Sequence, residues 1–254
     1  MTIAEKLARA KTDIDEVYEK GHEVGYDNGY AKCESDVREY VGIVKSWDSL
    51  IESGALVISN NQLSQGTNSS TLDGELVIPE RAGVKSIGAG AFQGNTTITK
   101  VTLPNSVNII SGSAFRGCMA LESITFASGD NTGNLTISTY AFGDCSALKT
   151  ITLPARLQTV HSATFYNCTS LENIYFEGTI RDGGLNLSSS TKLSKASWEN
   201  IVGSLASWVS SSITGSLASV NTAFETSAGA GDGSTSEEWL NLIATKPNWT
   251  INLV

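Results

Sequence analysis

The chain has 254 residues with a formal net charge of −9, and 40% of its residues are hydrophobic. This composition is typical of a folded protein rather than a disordered one. The acidic balance argues against a nucleic-acid partner, which would need clustered Lys and Arg. Because no apolar run is long enough to cross a bilayer, the sequence also predicts no membrane insertion.

Residues 1–46 predict a helical segment. Its apolar residues alternate at spacings of four and three, the pattern of a coiled-coil seam: Ile3, Leu7, Ala10, Ile14 and Val17. A helix this short is marginal alone, so we expect the segment to form a homo-oligomer or to dock on a partner. The segment lacks the apolar core and cleavage site of a secretory signal, and we therefore expect the chain to begin in a cytoplasm.

The next elements lead into the middle of the chain. Glycines at every fourth position from Gly21 to Gly29 predict either a smooth helical stripe or a turn-rich hinge. An amphipathic helix is predicted from Ser35 to about Ile51. A hairpin should follow, with strands at 55–58 and 62–63 and a turn at Asn60 and Asn61.

Four internal repeats follow the hairpin. Each contains a phenylalanine in a similar motif, at successive spacings of 23, 27 and 23 residues: Phe92, Phe115, Phe142 and Phe165. Each phenylalanine is followed by apolar residues in the spacing L-x-x-L-x-L. Because residues two apart on a strand point the same way, Val101 and Leu103 should point inward and Thr102 outward. One coil cannot bury its apolar face alone, which predicts a stack of coils with the longer interval bulging at 128–134.

The repeat motifs resemble a known family. Ala-Phe-x-Gly-Cys at 114–118, Leu-Val-Ile-Pro at 76–79 and the Leu-x-x-Ile-x-x-Pro strands are similar to the BspA-type leucine-rich repeats of bacterial surface proteins, gut prophages and some protists. The resemblance implies a right-handed solenoid with a short parallel sheet. It also implies a second extended segment in each coil, at 86–87, 109–110, 136–137 and 159–160.

The C-terminal segment, 188–254, predicts a cap for the solenoid, after a last strand at 185–187. Ser194 and Ser236 are the expected N-caps of two helices. The positions expected to face the core are Trp198, Ile201, Val202 and Leu205 in the first helix and Trp239, Leu242 and Ile243 in the second. A final strand should begin at Trp249, and 227–234 should form a flexible linker. This segment resembles the C-terminal caps of prophage-encoded members of the same repeat family.

These elements together predict an α+β fold. A leucine-rich-repeat solenoid of parallel β coils would carry an N-terminal helical segment and an α/β C-terminal cap. The expected domains are a helical anchor or oligomerisation segment at 1–46, the solenoid with its hairpin cap at 47–187, and the C-terminal cap at 188–254.

The cysteines and histidines, residue types that often have catalytic or metal-binding roles in proteins, show no pattern for such a role in this sequence. Three cysteines occupy one register of the repeat: Cys118, Cys145 and Cys168. The first coil has Asn95 there, and since either residue can face inward and satisfy the turn, buried free thiols are favoured over a disulfide or metal site. His22 and His161 have no partner at metal-ligand or triad spacing. The sequence therefore predicts no enzyme, no cofactor and no metal.

The predicted strands expose polar side chains that are candidate binding residues: Lys100, Thr102, Ser123, Thr125, Thr150, Thr152, Asn173 and Tyr175. This face suits hydrogen bonds to a host-surface glycan or protein, with Tyr175 as a stacking platform. The alternative is a plain solvated sheet.

Two functional hypotheses follow. The first is a phage or prophage virion protein, a tail, baseplate or fibre component, bound to other virion proteins through residues 1–46 and presenting the repeats to the host. It rests on the missing export signal and on the resemblance of the chain's ends to prophage members. The alternative is a bacterial cell-surface adhesin of the BspA kind, which would need an export signal or a wall anchor. A third hypothesis, an enzyme, has no supporting residues.

Overall fold

A computed structural model describes residues 47–65, 72–129, 133–180, 185–206, 211–215, 219–220, 223 and 237–254. The chain divides into two compact units, Met1–Ser53 and Gly54–Val254. The repeats and the C-terminal segment therefore belong to the same unit.

In the first unit the structure describes helix α1, Trp47–Glu52. It coincides with the end of the helix predicted from Ser35. The candidate oligomerisation residues lie outside the described part of the chain, as does the glycine pattern that follows them: Ile3, Leu7, Ala10, Ile14 and Val17.

A β-hairpin begins the second unit. Strand β1, Leu56–Ser59, pairs antiparallel with strand β2, Gln62–Gln65. Asn60 and Asn61 join the strands with φ of 51° and 59°, the left-handed conformation that a two-residue type I′ turn needs. On its other side β2 pairs in parallel with strand β4, Ser86–Ile87. The predicted hairpin is confirmed, and it closes one end of a sheet.

Each following coil contributes strands to two parallel sheets. The five-stranded sheet contains, in spatial order, β11 (Asn173–Phe176), β9 (Thr150–Leu153), β7 (Ser123–Phe126), β5 (Ile98–Leu103) and β3 (Gly74–Val77). The six-stranded sheet continues from β1, β2 and β4 to β6 (Ile109–Ile110), β8 (Leu135–Ile137) and β10 (Leu157–Val160). A 3₁₀ turn, Glu80–Ala82, lies between β3 and β4. The solenoid and its second extended segments are as predicted.

The repeated phenylalanines form the centre of the core. All four are buried, and their rings stack from coil to coil with centroids 5.0, 5.7 and 5.8 Å apart: Phe92, Phe115, Phe142 and Phe165. On β5, Val101 and Leu103 are buried while Thr102 between them is partly exposed. The period of two in the sequence therefore gives the direction of these side chains correctly.

The cysteines of the repeat register form a buried ladder of free thiols. Each Sγ donates to the carbonyl of the phenylalanine one coil earlier at 3.1 Å: Cys118 to Phe92, Cys145 to Phe115 and Cys168 to Phe142. In the first coil Asn95 has a related role, since its Oδ1 accepts from the backbone N of Thr97 and Ile98 at 3.0 and 2.8 Å. The prediction of free, structural thiols is confirmed.

Two helices and a two-stranded sheet follow the repeats. Helix α2, Lys195–Ser204, begins at the predicted N-cap Ser194, whose side chain accepts from Ser197 N. Helix α3 spans Glu237–Ala244. Strand β12, Ser211–Gly215, pairs in parallel with strand β13, Trp249–Leu253. The rings of Trp198 and Trp239 meet edge to face at 5.5 Å, and both are buried.

Three predictions for this segment need correction or fall outside the structure. The expected strand at 185–187 is only an isolated bridge from Asn186 to Thr214, because hydrogen bonds join just that short stretch to β12. Leu242 and Ile243 are half-buried rather than buried, so α3 packs mainly through Trp239. The glycine-rich stretch 227–234 and Ser236 lie outside the described residues.

Candidate binding site

The candidate binding residues form two rows across the five-stranded sheet. In one row Lys100 lies opposite Ser123, Ser123 opposite Thr150 and Thr150 opposite Asn173. In the other, Thr102 lies opposite Thr125, and Thr152 opposite Tyr175. All eight side chains are exposed or partly exposed, because the apolar residues between them turn inward. The sheet therefore presents a regular array of polar groups.

A groove of about 550 Å³ crosses β7 and β9 on this face. Four of the predicted residues line it: Ser123, Thr125, Thr150 and Thr152. Its volume lies in the range of small-molecule sites, about 300–1,000 Å³. Since each hydroxyl can both donate and accept a hydrogen bond, this lining suits a ligand rich in hydroxyl or amide groups.

The other four predicted residues do not line the groove. Lys100 and Thr102 lie on β5, at one side of it. At the other side Tyr175 Oη donates to Asn173 Oδ1 at 3.2 Å, and Ser194 Oγ donates to the same oxygen at 2.9 Å. Tyr175 is therefore half-buried against the α2 end of the sheet, which leaves less of its ring available for the stacking role that the sequence suggests.

The turns that follow the strands also line the groove, and the sequence analysis did not assign them this role. They are residues 127–129 after β7 and 154–156 after β9, together with Asn105 and Glu177. Pro104 follows β5 and Pro154 follows β9, at the points where the chain leaves the sheet, since proline cannot donate a backbone hydrogen bond to a neighbouring strand. These prolines were the signal in the sequence for a turn directly after a strand.

Arg156 brings positive charge to the lining, and Glu177 brings negative charge. Arg156 Nη1 donates to Asn108 Oδ1 at 3.4 Å, whereas Nε and Nη2 are buried with no hydrogen-bond partner among the described residues. Burial lowers the pKa of Arg156, and the nearby charge of Glu80 acts in the opposite direction. The guanidinium is therefore a partly desolvated charge whose hydrogen bond is to Asn108.

The described residues show no arrangement for metal binding or thiol catalysis. Within this part of the chain no group of three or more His, Cys, Asp or Glu is placed to hold a metal ion. His161 is exposed while Cys168 is completely buried, and burial raises the pKa of that thiol to about 12. A protonated, enclosed thiol is a poor nucleophile. Likewise, no helix in the described ranges is long and apolar enough to cross a membrane.

The repeats match a known family. Six copies of the BspA-type leucine-rich repeat region match residues 85–216, which is over half of the chain. The protein belongs to the BspA-type leucine-rich repeat family. This confirms the family resemblance of the repeat motifs, and the strands β7 and β9 that carry the groove lie within the matched residues.

Several solved structures are similar to this BspA-type chain. A leucine-rich repeat protein from Bacteroides capillosus is 27% identical, over 49% of this chain and 96% of that chain, with a TM-score of 0.39. A leucine-rich repeat protein of T. pallidum is 18% identical, over 55% of this chain and 76% of that one, with a TM-score of 0.38. A leucine-rich cell surface protein from Faecalibacterium prausnitzii is 23% identical, over 57% and 40%, with a TM-score of 0.35. No curated protein matches the chain.

Proposed function

We propose that this BspA-type protein is an adhesion module of a bacterial cell surface and that it holds its ligand in the groove across β7 and β9. The observation that carries the proposal is the position of the groove, which is lined by four of the predicted binding residues. Adjacent strands of a sheet are about 4.8 Å apart. The stack therefore repeats donors and acceptors at a fixed interval, as a binding face needs.

The family supports the surface location, since BspA-type repeats occur in bacterial surface proteins. The virion hypothesis has less support. It rests on residues 1–46 and on resemblances at the ends of the chain, and the family match over 85–216 adds nothing to it. The adhesin hypothesis uses the repeats themselves, whose polar face and groove the structure describes.

The groove can be tested by filling it. A double variant, Thr125→Arg with Thr152→Arg, puts two long side chains into the space without touching the core. Thr139→Arg is the matched control, because Thr139 is an exposed threonine on a turn of the same stack and does not line the groove. Circular dichroism should show that both variants fold.

Beads coated with the whole chain are then incubated with an epithelial cell monolayer. We expect wild type and the Thr139→Arg control to be retained, and the groove variant to fall to the level of uncoated beads. Retention of the groove variant at the wild-type level, or no retention of the wild type, rejects the groove as an adhesion site. Brief protease treatment of intact bacteria that carry the gene, beside the same treatment of a lysate, tests the location, since a protein that is cut only after lysis is not on the surface.

A further inference from the structure

A second surface, away from the groove, carries an ordered set of polar and aromatic side chains. We call it the turn platform and define it by Arg116, Tyr140, Asp144, Tyr166 and Asn167. The guanidinium carbon of Arg116 lies 4.7 Å from the centre of the Tyr140 ring. The Tyr140 and Tyr166 rings meet edge to face at 5.7 Å. These contacts link three successive coils, and they lie on the turns between the two sheets.

The repeat departs from its own pattern at two positions to form this platform. Tyr140 has φ of 57° where the preceding coils have Ser113 and Gly90 in the same left-handed conformation. This conformation is unfavourable for a bulky side chain and, where it persists, often marks a functional site. In the same coil Gly143 replaces the long side chain found at Arg116 and Tyr166. A Cβ on Gly143 would lie 3.0 Å from Tyr140 Cδ1, so the absence of a side chain at residue 143 leaves room for the Tyr140 ring.

Arg116 is held in one orientation. Its Nε donates to Asp144 Oδ2 at 3.0 Å, and Asn167 Nδ2 donates to the other carboxylate oxygen, Oδ1, at 3.1 Å. The hydrogen bond from Arg116 is the main cause that lowers the pKa of Asp144, which therefore stays ionised near neutral pH. Within the described residues, Arg116 Nη1 and Nη2 have no hydrogen-bond partner, and the side chain is 40% exposed. The outer fork of the guanidinium is thus oriented in advance and open to solvent, which lowers the entropy cost of binding.

Tyr166 supplies an apolar face beside these donors, since the residue is 49% exposed. We propose that the turn platform binds a neutral saccharide, with the sugar ring resting on Tyr166 and hydroxyl groups accepting from the outer nitrogens of Arg116. This combination of an exposed ring and planar polar groups matches a sugar, which has an apolar C–H face and a rim of hydroxyls. The site goes beyond the proposed adhesion groove, because the two share no residue.

Two alternatives fit the platform less well. An acidic ligand would meet Asp144 beside the fork and a protein with a net charge of −9, both of which oppose an anion. A protein partner needs a contiguous apolar centre in its interface. The platform instead places the exposed Tyr166 ring and the partly exposed Tyr140 ring among guanidinium, carboxylate and amide groups. The neutral sugar is therefore the ligand class that its chemistry favours.

Affinity gel electrophoresis of the whole chain tests this site. The probes in the gel are yeast mannan, laminarin, dextran and galactan as neutral polysaccharides, and polygalacturonate as an acidic one. We expect at least one neutral polysaccharide to retard the chain. Tyr166→Ala should weaken that retardation by about tenfold or more, as loss of a central aromatic contact does. Arg116→Lys should weaken it too, because lysine keeps the charge but loses the fork.

Matched controls separate binding from folding. Gln93→Ala removes an exposed side chain at the equivalent position of the first coil, so it should bind as wild type. Tyr166→Phe, which keeps the ring, should be retarded more strongly than Tyr166→Ala. The groove variant Thr125→Arg with Thr152→Arg should also bind as wild type, which keeps this test independent of the adhesion proposal. The proposal is overturned if no neutral polysaccharide retards the chain, if only polygalacturonate does, if the groove variant loses the retardation, or if folded Tyr166→Ala and Arg116→Lys both retain it.

Discussion

The side-chain amide of Asn200 forms with Phe176 the two hydrogen bonds that a neighbouring strand would form. Phe176 N donates to Asn200 Oδ1 at 2.7 Å, and Asn200 Nδ2 donates to Phe176 O at 3.3 Å. One helical turn earlier, Ser197 Oγ accepts from Ile174 N at 3.0 Å and donates to Glu172 O at 3.1 Å. Because these two side chains are three residues apart on α2, one face of the helix satisfies the edge of β11. An edge covered in this way is protected from pairing with another chain.

We predict that Asn200→Ala destabilises the protein by about 1–3 kcal/mol, because it leaves the backbone N of Phe176 without its partner and leaves Phe176 O only the long hydrogen bond from Ser204 Oγ at 3.4 Å. Urea denaturation measures the change in the free energy of unfolding. Glu199→Ala is the control, since Glu199 is exposed on the same helix and its loss should cost less than about 0.5 kcal/mol. Equal values for the two variants would show that water replaces the Asn200 amide at no cost.

The sequence could predict the helix that carries Asn200, but it could not predict the hydrogen bonds between Asn200 and Phe176. Ser194 marks the N-cap, and the spacing of Trp198, Ile201 and Val202 identifies the buried face, because both signals are local. The hydrogen bonds of Ser197 and Asn200 depend on where the helix docks against β11, which is a long-range property. The same limit applies to β12, whose partner β13 lies far along the chain.

In the candidate sites, too, the sequence predicts the local features but not the long-range contacts. The period of two on β7 and β9 correctly predicts that Thr125 and Thr152 face outward. The remaining lining of the groove comes from turns that meet only when the coils stack, so no local pattern contains it. The turn platform was missed because its signal is a departure from the repeat. Tyr140 stands where Gly90 stands in the first coil, and the residues that the coils share give no sign of such an exception.

The stacked phenylalanine rings should contribute strongly to the stability of the coils. Phe115 lies between the rings of Phe92 and Phe142 and is completely buried. Phe115→Ala should lower the free energy of unfolding by about 3–5 kcal/mol, through lost burial and the cavity that remains. Met119→Ala, at a side chain that is 56% exposed in the same coil, should change it by less than about 0.5 kcal/mol. Guanidinium denaturation distinguishes the two, and similar losses would mean that the core refills the space.

Two glycines in the C-terminal segment should respond to alanine in opposite directions. A Cβ on Gly215 would collide with Trp198 Cη2, and that indole is fixed by its Nε1 hydrogen bond to Ser219 Oγ at 3.2 Å. Gly215→Ala should therefore destabilise the protein by about 1–3 kcal/mol. Gly203 is exposed within α2 and has open space around its Cβ position, so Gly203→Ala should stabilise by about 0.5–1 kcal/mol. Thermal unfolding of both variants beside wild type checks the signs. No loss for Gly215→Ala would contradict the packing of Trp198, and a loss for Gly203→Ala would contradict the open space around that glycine.

The buried thiols should make the protein less stable in alkali. Burial raises the pKa of Cys118 and Cys168 from the ordinary 9.0 to about 12, and it raises that of Cys145 as well. In the unfolded chain these thiols ionise near pH 9, whereas the folded protein keeps their protons, so the unfolded state binds fewer protons above that pH. Their stabilising contribution is complete below pH 9 and is lost as the pH rises toward 12, at about 1.4 kcal/mol per pH unit for each thiol.

Urea denaturation at pH 8, 9 and 10 should therefore show a steeper alkaline loss for wild type than for the triple variant Cys118→Ala, Cys145→Ala and Cys168→Ala. The triple variant starts from a lower stability because it lacks three buried side chains, but it has no thiols in the ladder to ionise on unfolding. Tyrosines, lysines and Cys33 are common to both proteins, so their titration cancels in the comparison. Parallel curves above pH 9 would mean that the thiols of the ladder ionise in the folded protein, which their hydrogen bonds to Phe92, Phe115 and Phe142 oppose.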